Sequence, residues 1–212
     1  MPKEWRKRAR EFARERAKAE AKERWGVSRK RDIPFDYRWE HVKAVASLAK
    51  GLGQQLSADL DVVEAAAWLH DICKTEPSHG IAGAKEAADF LTRSDFPKPK
   101  IEAVSYAIAR HVGLYRPRGA APLEPLETAI LWDADKLSKL GVQAVVFSMM
   151  SPYGLGKSMS QRRRDYVRFV DEILYRTVES MNTDLAQEMA RQRFAEMQTM
   201  LQTWKREEYE QE

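Results

Sequence analysis

Four histidines, His41, His70, His79 and His111, are the only imidazoles in a chain of 212 residues. A solitary histidine on a helix is usually a surface or hydrogen-bonded core residue, but the settings of these four say more. His70 is followed directly by Asp71, and the pair ends an apolar run, Val62-Val63-Glu64-Ala65-Ala66-Ala67-Trp68-Leu69. Such a run belongs to a buried helix, and two titratable groups at its end need compensation, because buried charge is costly unless paired or metal-bound. Lys74 lies four residues after His70 and three after Asp71, so at helical spacing the three share one face. His41 falls early in one expected helix, His111 ends another, and Asp133 and Asp135 lie in a third. Imidazole and carboxylate ligands drawn from several helices are the usual way a helical protein builds a metal site. That donor set suits Mn, Fe, Co, Ni or Zn without choosing among them. The single cysteine, Cys73, excludes thiolate clusters and reads as a small buried apolar residue.

The elements that carry these residues are helices. Ten glycines and nine prolines are few, they cluster, and no alternating run is long enough for a strand. The fold class is therefore all-α. Helices are expected over about 2–25, 36–52, 58–74, 80–91, 98–111, 123–140, 157–182 and 183–209, with Pro2 near the first start and Gly26 past its end. Two loops, 113–125 and 148–157, are long enough to wall a site.

Charge divides the chain unevenly. The whole carries +4 with a pI near 9.1, yet residues 1–31 hold 13 Lys/Arg against 5 Glu. Residues 32–212 hold 23 basic and 27 acidic residues, a net of −4. The reading is a basic helical N-terminal extension, 1–31, attached to a body, 32–212, that holds every candidate ligand. Its apolar stripe, Trp5, Ala9, Phe12, Ala13 and Ala17, suits light packing on the body or on a second copy in a homo-oligomer. Nucleic-acid contact by residues 1–31 is the alternative, which five interspersed glutamates weaken. Hydrophobic residues make up 43% of the chain, enough for a core, and no run of 18 apolar residues exists to span a membrane. The charged start lacks a secretory signal's apolar stretch, and one cysteine permits no internal disulfide, so a cytoplasmic location is expected.

The order His41, His70-Asp71, Asp135 resembles the H…HD…D signature of the HD-domain metal-dependent phosphohydrolase superfamily. Leu69-His70-Asp71-Ile72-Cys73-Lys74 is similar to its LHDIxK core, and Ala134-Asp135-Lys136-Leu137 to its closing ADxL, which selects Asp135 over Asp133. His79-Gly80-Ile81-Ala82-Gly83-Ala84 resembles the HGxxGA string of members with two metals, and Ala107-Ile108-Ala109-Arg110-His111 their next ligand helix. Asp133 through Gly141 resembles the DADRLDALG segment of one bacterial hydrolase branch, with Ser138 departing from the branch's common Asp. The resemblance covers about residues 36–205.

It implies an HD-domain helical bundle extended by C-terminal helices. It also implies a phosphohydrolase cleaving a phosphoester or phosphoanhydride bond of a phosphorylated small molecule, a nucleotide being the expected class, with a metal-activated water. By that resemblance His41, His70, Asp71 and Asp135 hold one divalent transition metal. Asp71 bridges to a second held by His79 and His111. Asp71 then orients the nucleophile and Lys74 neutralises phosphate charge, while its alternative is pairing with Asp71 or a helix-end carbonyl. Arg110 and Arg116, beside and after His111, are candidates for the remaining phosphates. Two other functions use the same sequence: a di-iron oxygenase on the HD scaffold, and a regulatory or nucleic-acid-binding protein working through the basic helix.

Overall fold

A computed structural model of the chain describes residues 4–209, so Pro2 lies outside the described residues. Those residues form helices and turns with no strand, as the composition predicts. In chain order, α1 spans Glu4–Trp25, α2 Tyr37–Gln55, α3 Leu60–Leu69, α4 His79–Thr92 and α5 Ile101–Arg110. They are followed by α6 Leu126–Leu137, α7 Val142–Met150, α8 Met159–Phe169, α9 Tyr175–Glu179 and α10 Asp184–Tyr209. No helix among the described residues is long and apolar enough to cross a membrane.

The centre is α3, whose Val62, Val63, Ala65, Ala66, Ala67 and Leu69 are all buried. A helix this apolar, with Asp61 and Glu64 as its only charges, belongs inside a domain, and α1, α2, α5 and α6 pack around it. Asp59 starts it by accepting from the Asp61 and Val62 amides, and Asp36 starts α2 by accepting from Trp39 N. On one flank α4 lies against α5. A Cβ on Gly80 would meet Val112 Cγ2 at 2.6 Å and the Ala109 carbonyl at 3.2 Å. Only glycine permits that approach, and it brings His79, at the start of α4, to the end of α5.

α1 turns Trp5, Ala9, Ala13, Ala17, Glu20 and Ala21 inward. Trp5 is wholly enclosed and meets Phe96 edge-on at 4.9 Å. Arg6 pairs with Asp61 at 2.9 Å and Glu64 at 2.7 Å on α3, and Arg16 pairs with Glu86 on α4. Part of the basic surplus of residues 1–31 is thus matched by acids of the body.

The structure differs from the expected elements in three places. The helix expected over 58–74 stops at Leu69 and continues as tight turns, with Ile72 N on Leu69 O and Lys74 N on Asp71 O. The His70 ring takes the Ala67 carbonyl at 2.8 Å, which a continuing helix would give to the Asp71 amide. α7 fills a stretch expected partly as loop and otherwise without an assigned element, because Val142-Gln143-Ala144-Val145-Val146-Phe147-Ser148-Met149-Met150 has too few polar residues to show a helical period. Gly141, at φ 94°, separates it from α6. The helix expected over 157–182 is split by a π-helical turn, Val170–Leu174.

α6 holds the start of α10 through one side chain. Asp133, fully buried, accepts from Asn182 N at 2.8 Å, Asn182 Nδ2 at 2.9 Å, Thr183 N at 2.9 Å and Thr183 Oγ1 at 2.8 Å. Asp133→Ala leaves those donors without their acceptor and is expected to destabilise the protein by about 3 kcal/mol. Urea unfolding checks this; a loss under about 1 kcal/mol would mean that water replaces the carboxylate.

Candidate metal centre

His70 and His111 each follow the last residue of a helix, α3 and α5, where carbonyls lack helical partners. The His70 Nδ1–H donates to Ala67 O at 2.8 Å and the His111 Nδ1–H to Ile108 O at 2.6 Å. A carbonyl only accepts, so each Nδ1 carries the proton and each Nε2 presents a bare lone pair. His41, on α2, reaches the same state through a side chain. The Ser138 hydroxyl donates to Asp135 O at 2.6 Å, which leaves its oxygen to accept the His41 Nδ1–H at 3.1 Å.

These lone pairs converge. His41 Nε2 and His70 Nε2 face each other at 3.3 Å. His41 Nε2 lies 3.5 Å from Asp71 Oδ2 and 3.3 Å from Asp135 Oδ1, and His111 Nε2 lies 3.4 Å from Asp71 Oδ1. Two ligand-capable triads result, His41–His70–Asp71 and Asp71–His79–His111, each with its donor atoms within 4.8 Å of one another. They share Asp71. His111 Nε2 is buried with no hydrogen-bond partner, a costly state for an imidazole nitrogen unless a cation takes its lone pair. The residues therefore fit a divalent transition metal in both donor type and orientation.

Charge and burial maintain this donor state. Burial holds His70 down to about 3 and, with Lys74, His79 down to about 4, so both are neutral at pH 7. Burial pushes the Asp71 carboxyl up, but its surroundings outweigh this and hold it well below the usual carboxylate range, Arg38 at 2.8 Å being the permanent cation among them. Asp135 is held low against burial by Lys136 and Lys139. Burial lowers Lys139 to about 8 despite Asp135. Cys73 is no ligand: burial and a 2.9 Å hydrogen bond to Glu86 push its thiol up to about 12.

Lys74 donates to Asp71 Oδ1 at 3.1 Å and meets His79 Nε2 at 3.2 Å. Its ammonium stands between two members of the second triad. A cavity of about 610 Å³ reaches the cluster at His41 and Lys74, with Lys139, Tyr153, Phe147, Tyr166 and Phe169 among its other walls.

The six candidate ligands and Lys74 are thus brought together, and the two arginines are not. Arg110 lies over the Tyr106 ring at 3.4 Å on the surface. Arg116 is spent on the carbonyls of Ser180 at 3.0 Å and Ala120 at 3.2 Å, bracing the 113–125 loop. Asp133 and Asp135 point apart, as residues two apart on a helix must. Nothing in the sequence pattern singles out Arg38, whose Nη1 donates to Asp71 Oδ2 at 2.8 Å. Its one signal is its place three residues before His41, one helical turn away on the same face. The contribution of Ser138 has no signal beyond its departure from the family string.

The family model described as HD domain matches residues 38–140, from Arg38 to just past Asp135. YpgQ of Bacillus subtilis strain 168 is 31% identical over 173 residues, covering 80% of this chain and 83% of YpgQ. The crystal structure of YpgQ in complex with ADP superposes with a TM-score of 0.62 at 26% identity, over 80% of this chain and 88% of that one. A predicted HD superfamily hydrolase from an uncultured Thermotogales bacterium has the same fold, with a TM-score of 0.62 at 22% identity over 95% of this chain and 91% of its own. With the family match over residues 38–140 and the 31% identity to YpgQ in agreement with the ligand order, the chain belongs to the HD-domain metal-dependent phosphohydrolase superfamily.

Proposed function

We propose that this chain is a divalent-metal-dependent hydrolase of phosphoester or phosphoanhydride bonds in a nucleotide. The observation that carries the reading is the pair of triads sharing Asp71 beside a cavity that His41, Lys74, Lys139 and aromatic side chains line. His41, His70, Asp71 and Asp135 would hold one ion, and Asp71, His79 and His111 a second. Divalent cations bound there polarise a phosphoryl oxygen and make water nucleophilic near neutral pH.

The chain's own residues supply the rest. Asp71 stays anionic and accepts a hydrogen bond from the attacking water, which orients it. Lys74 and Lys139 face the cavity beside the cluster and offset the phosphate charge. Tyr153 and Phe147 offer flat apolar surface to a base, and a complex of the relative YpgQ with ADP is consistent with a nucleotide ligand. Phosphate and pyrophosphate release from a nucleotide panel with Mn, Co, Ni or Fe tests the reading, with oxygen uptake followed in parallel. Release without oxygen uptake is expected. Metal-loaded protein that releases nothing, or a His70→Ala variant as active as wild type, would overturn it.

Two variants separate binding from chemistry. Lys74→Met removes an ammonium that competes for Asp71 and His79. It is expected to leave metal affinity at or above wild type while kcat/KM falls about 10²-fold. Competition titration and steady-state kinetics check this, and a parallel fall in both would limit Lys74 to structure. Ser138→Ala frees the His41 ring to take the tautomer with a protonated Nε2. It is expected to weaken metal binding about 10–100-fold, with Ser138→Thr restoring it in the same titration.

A further inference from the structure

We infer that Glu20, on α1, is a positioning residue for the metal centre, acting through Arg38 on Asp71; the inference rests on the metal-binding reading above. Arg38 Nη1 donates to Asp71 Oδ2 at 2.8 Å, and its Nη2 donates to Glu20 Oε1 at 3.3 Å. The Tyr37 hydroxyl reaches both Glu20 oxygens at 2.7 Å, which fixes that carboxylate's orientation. Glu20, Tyr37, Arg38 and Asp71 are all buried. Among the inward-facing residues of α1, Glu20 is the only charged one.

A guanidinium on the shared ligand is electrostatically wrong for a site that takes divalent cations. It repels the ions and competes for the Asp71 oxygen, and at low local dielectric both effects are strong. Glu20 reverses this. Its charge neutralises Arg38 on the side away from the cluster, so the guanidinium keeps its hydrogen-bonding geometry and orients Asp71 without drawing its charge from the ions. Arg24 also approaches Glu20, at 3.7 Å, but its side chain is 54% exposed. Solvent screens that pair. The three-residue line from α1 to Asp71 begins outside the matched family region, 38–140, so the N-terminal helix completes the site rather than decorating it.

The test is Mn2+ binding to the full chain, read by electron paramagnetic resonance alongside thermal melting. Glu20→Gln keeps the shape and removes the charge. It is expected to weaken Mn2+ binding about tenfold, whereas Arg24→Gln leaves binding unchanged. Glu20→Gln combined with Arg38→Met removes the uncompensated cation along with its hydrogen bond to Asp71 and is expected to recover part of the affinity that Glu20→Gln loses, although it is the less stable protein. A residue that merely holds the fold would give the double variant the weaker binding. Glu20→Gln matching a Mn2+-binding wild type, or a double variant as weak as the single, would overturn the inference. Should Glu20→Gln fail to fold, Tyr37→Phe loosens the same carboxylate and is read in the same way. A wild type that binds neither Mn2+ nor Zn2+ would overturn the metal reading and this inference with it.

Discussion

Asp71→Asn is expected to lower kcat on the order of 10³-fold and to deplete both triads of metal together. The size follows from the several kcal/mol that metal charge contributes to a phosphoryl transition state, at about 1.4 kcal/mol per factor of ten. The breadth follows from geometry. Asp71 is the only residue common to both triads, with Oδ2 toward His41 and His70 and Oδ1 toward His111 and Lys74. An amide has nearly the same shape, so the fold has little reason to change, but it lacks the charge that holds a cation. His79→Ala makes the contrast: it touches one triad and is expected to leave metal in the other. Metal per chain by mass spectrometry, with phosphate release on the same samples, checks both. Equal depletion by the two variants would mean that the triads do not share a ligand in the loaded protein.

Trp5→Ala is expected to destabilise the protein by about 3–5 kcal/mol, the range for emptying a large aromatic from a core. Trp5 is wholly enclosed, with its ring edge-on to Phe96 and the Arg6 guanidinium 4.6 Å from its centre. Domains are stable by only about 5–15 kcal/mol, so this is a large fraction. The residue anchors the first turn of α1 and is its one fully enclosed large side chain; beyond it the helix docks through alanines and the half-buried Phe12, stacked on Phe90 at 4.9 Å. Chemical unfolding monitored at two wavelengths checks the size. A cost under about 1 kcal/mol would mean that α1 sits on the body through its ion pairs with Asp61, Glu64 and Glu86 instead.

The histidines and acids were legible because chemistry restricts them. Few residue types hold a cation, and an imidazole-carboxylate pair closing a buried helix needs a reason. The all-α class was equally legible, since glycine, proline and alternation were all sparse. What escaped the sequence was either local geometry or long-range pairing. The end of α3 at Leu69 depends on a ring competing with an amide for one carbonyl, and propensity does not record that competition. α7 lacked a polar face. Arg110 and Arg116, beside and after His111, read from the sequence as phosphate ligands, whereas in the fold Arg110 lies over the Tyr106 ring and Arg116 donates to backbone carbonyls. Glu20 is one of five glutamates in a basic helix, and nothing in its neighbourhood marks it as the one that faces Arg38. Its role exists only once α1 and α2 are packed together.

The two helix-end histidines bear on how such a site withstands mutation. Their supporting acceptors are main-chain oxygens of Ala67 and Ile108, which no side-chain substitution at those positions deletes. His41 depends instead on a single hydroxyl. Drift, or a designer recasting the cavity for another substrate, can therefore alter side chains around His70 and His111 freely while helix length is preserved. A one-residue insertion in α3 or α5 is a different matter. It rotates the downstream residues by about 100° and swings the ring, together with its local carbonyl, away from the cluster, so the tolerance is to substitution and not to length. The vulnerable points of this centre are thus its helix lengths and Ser138.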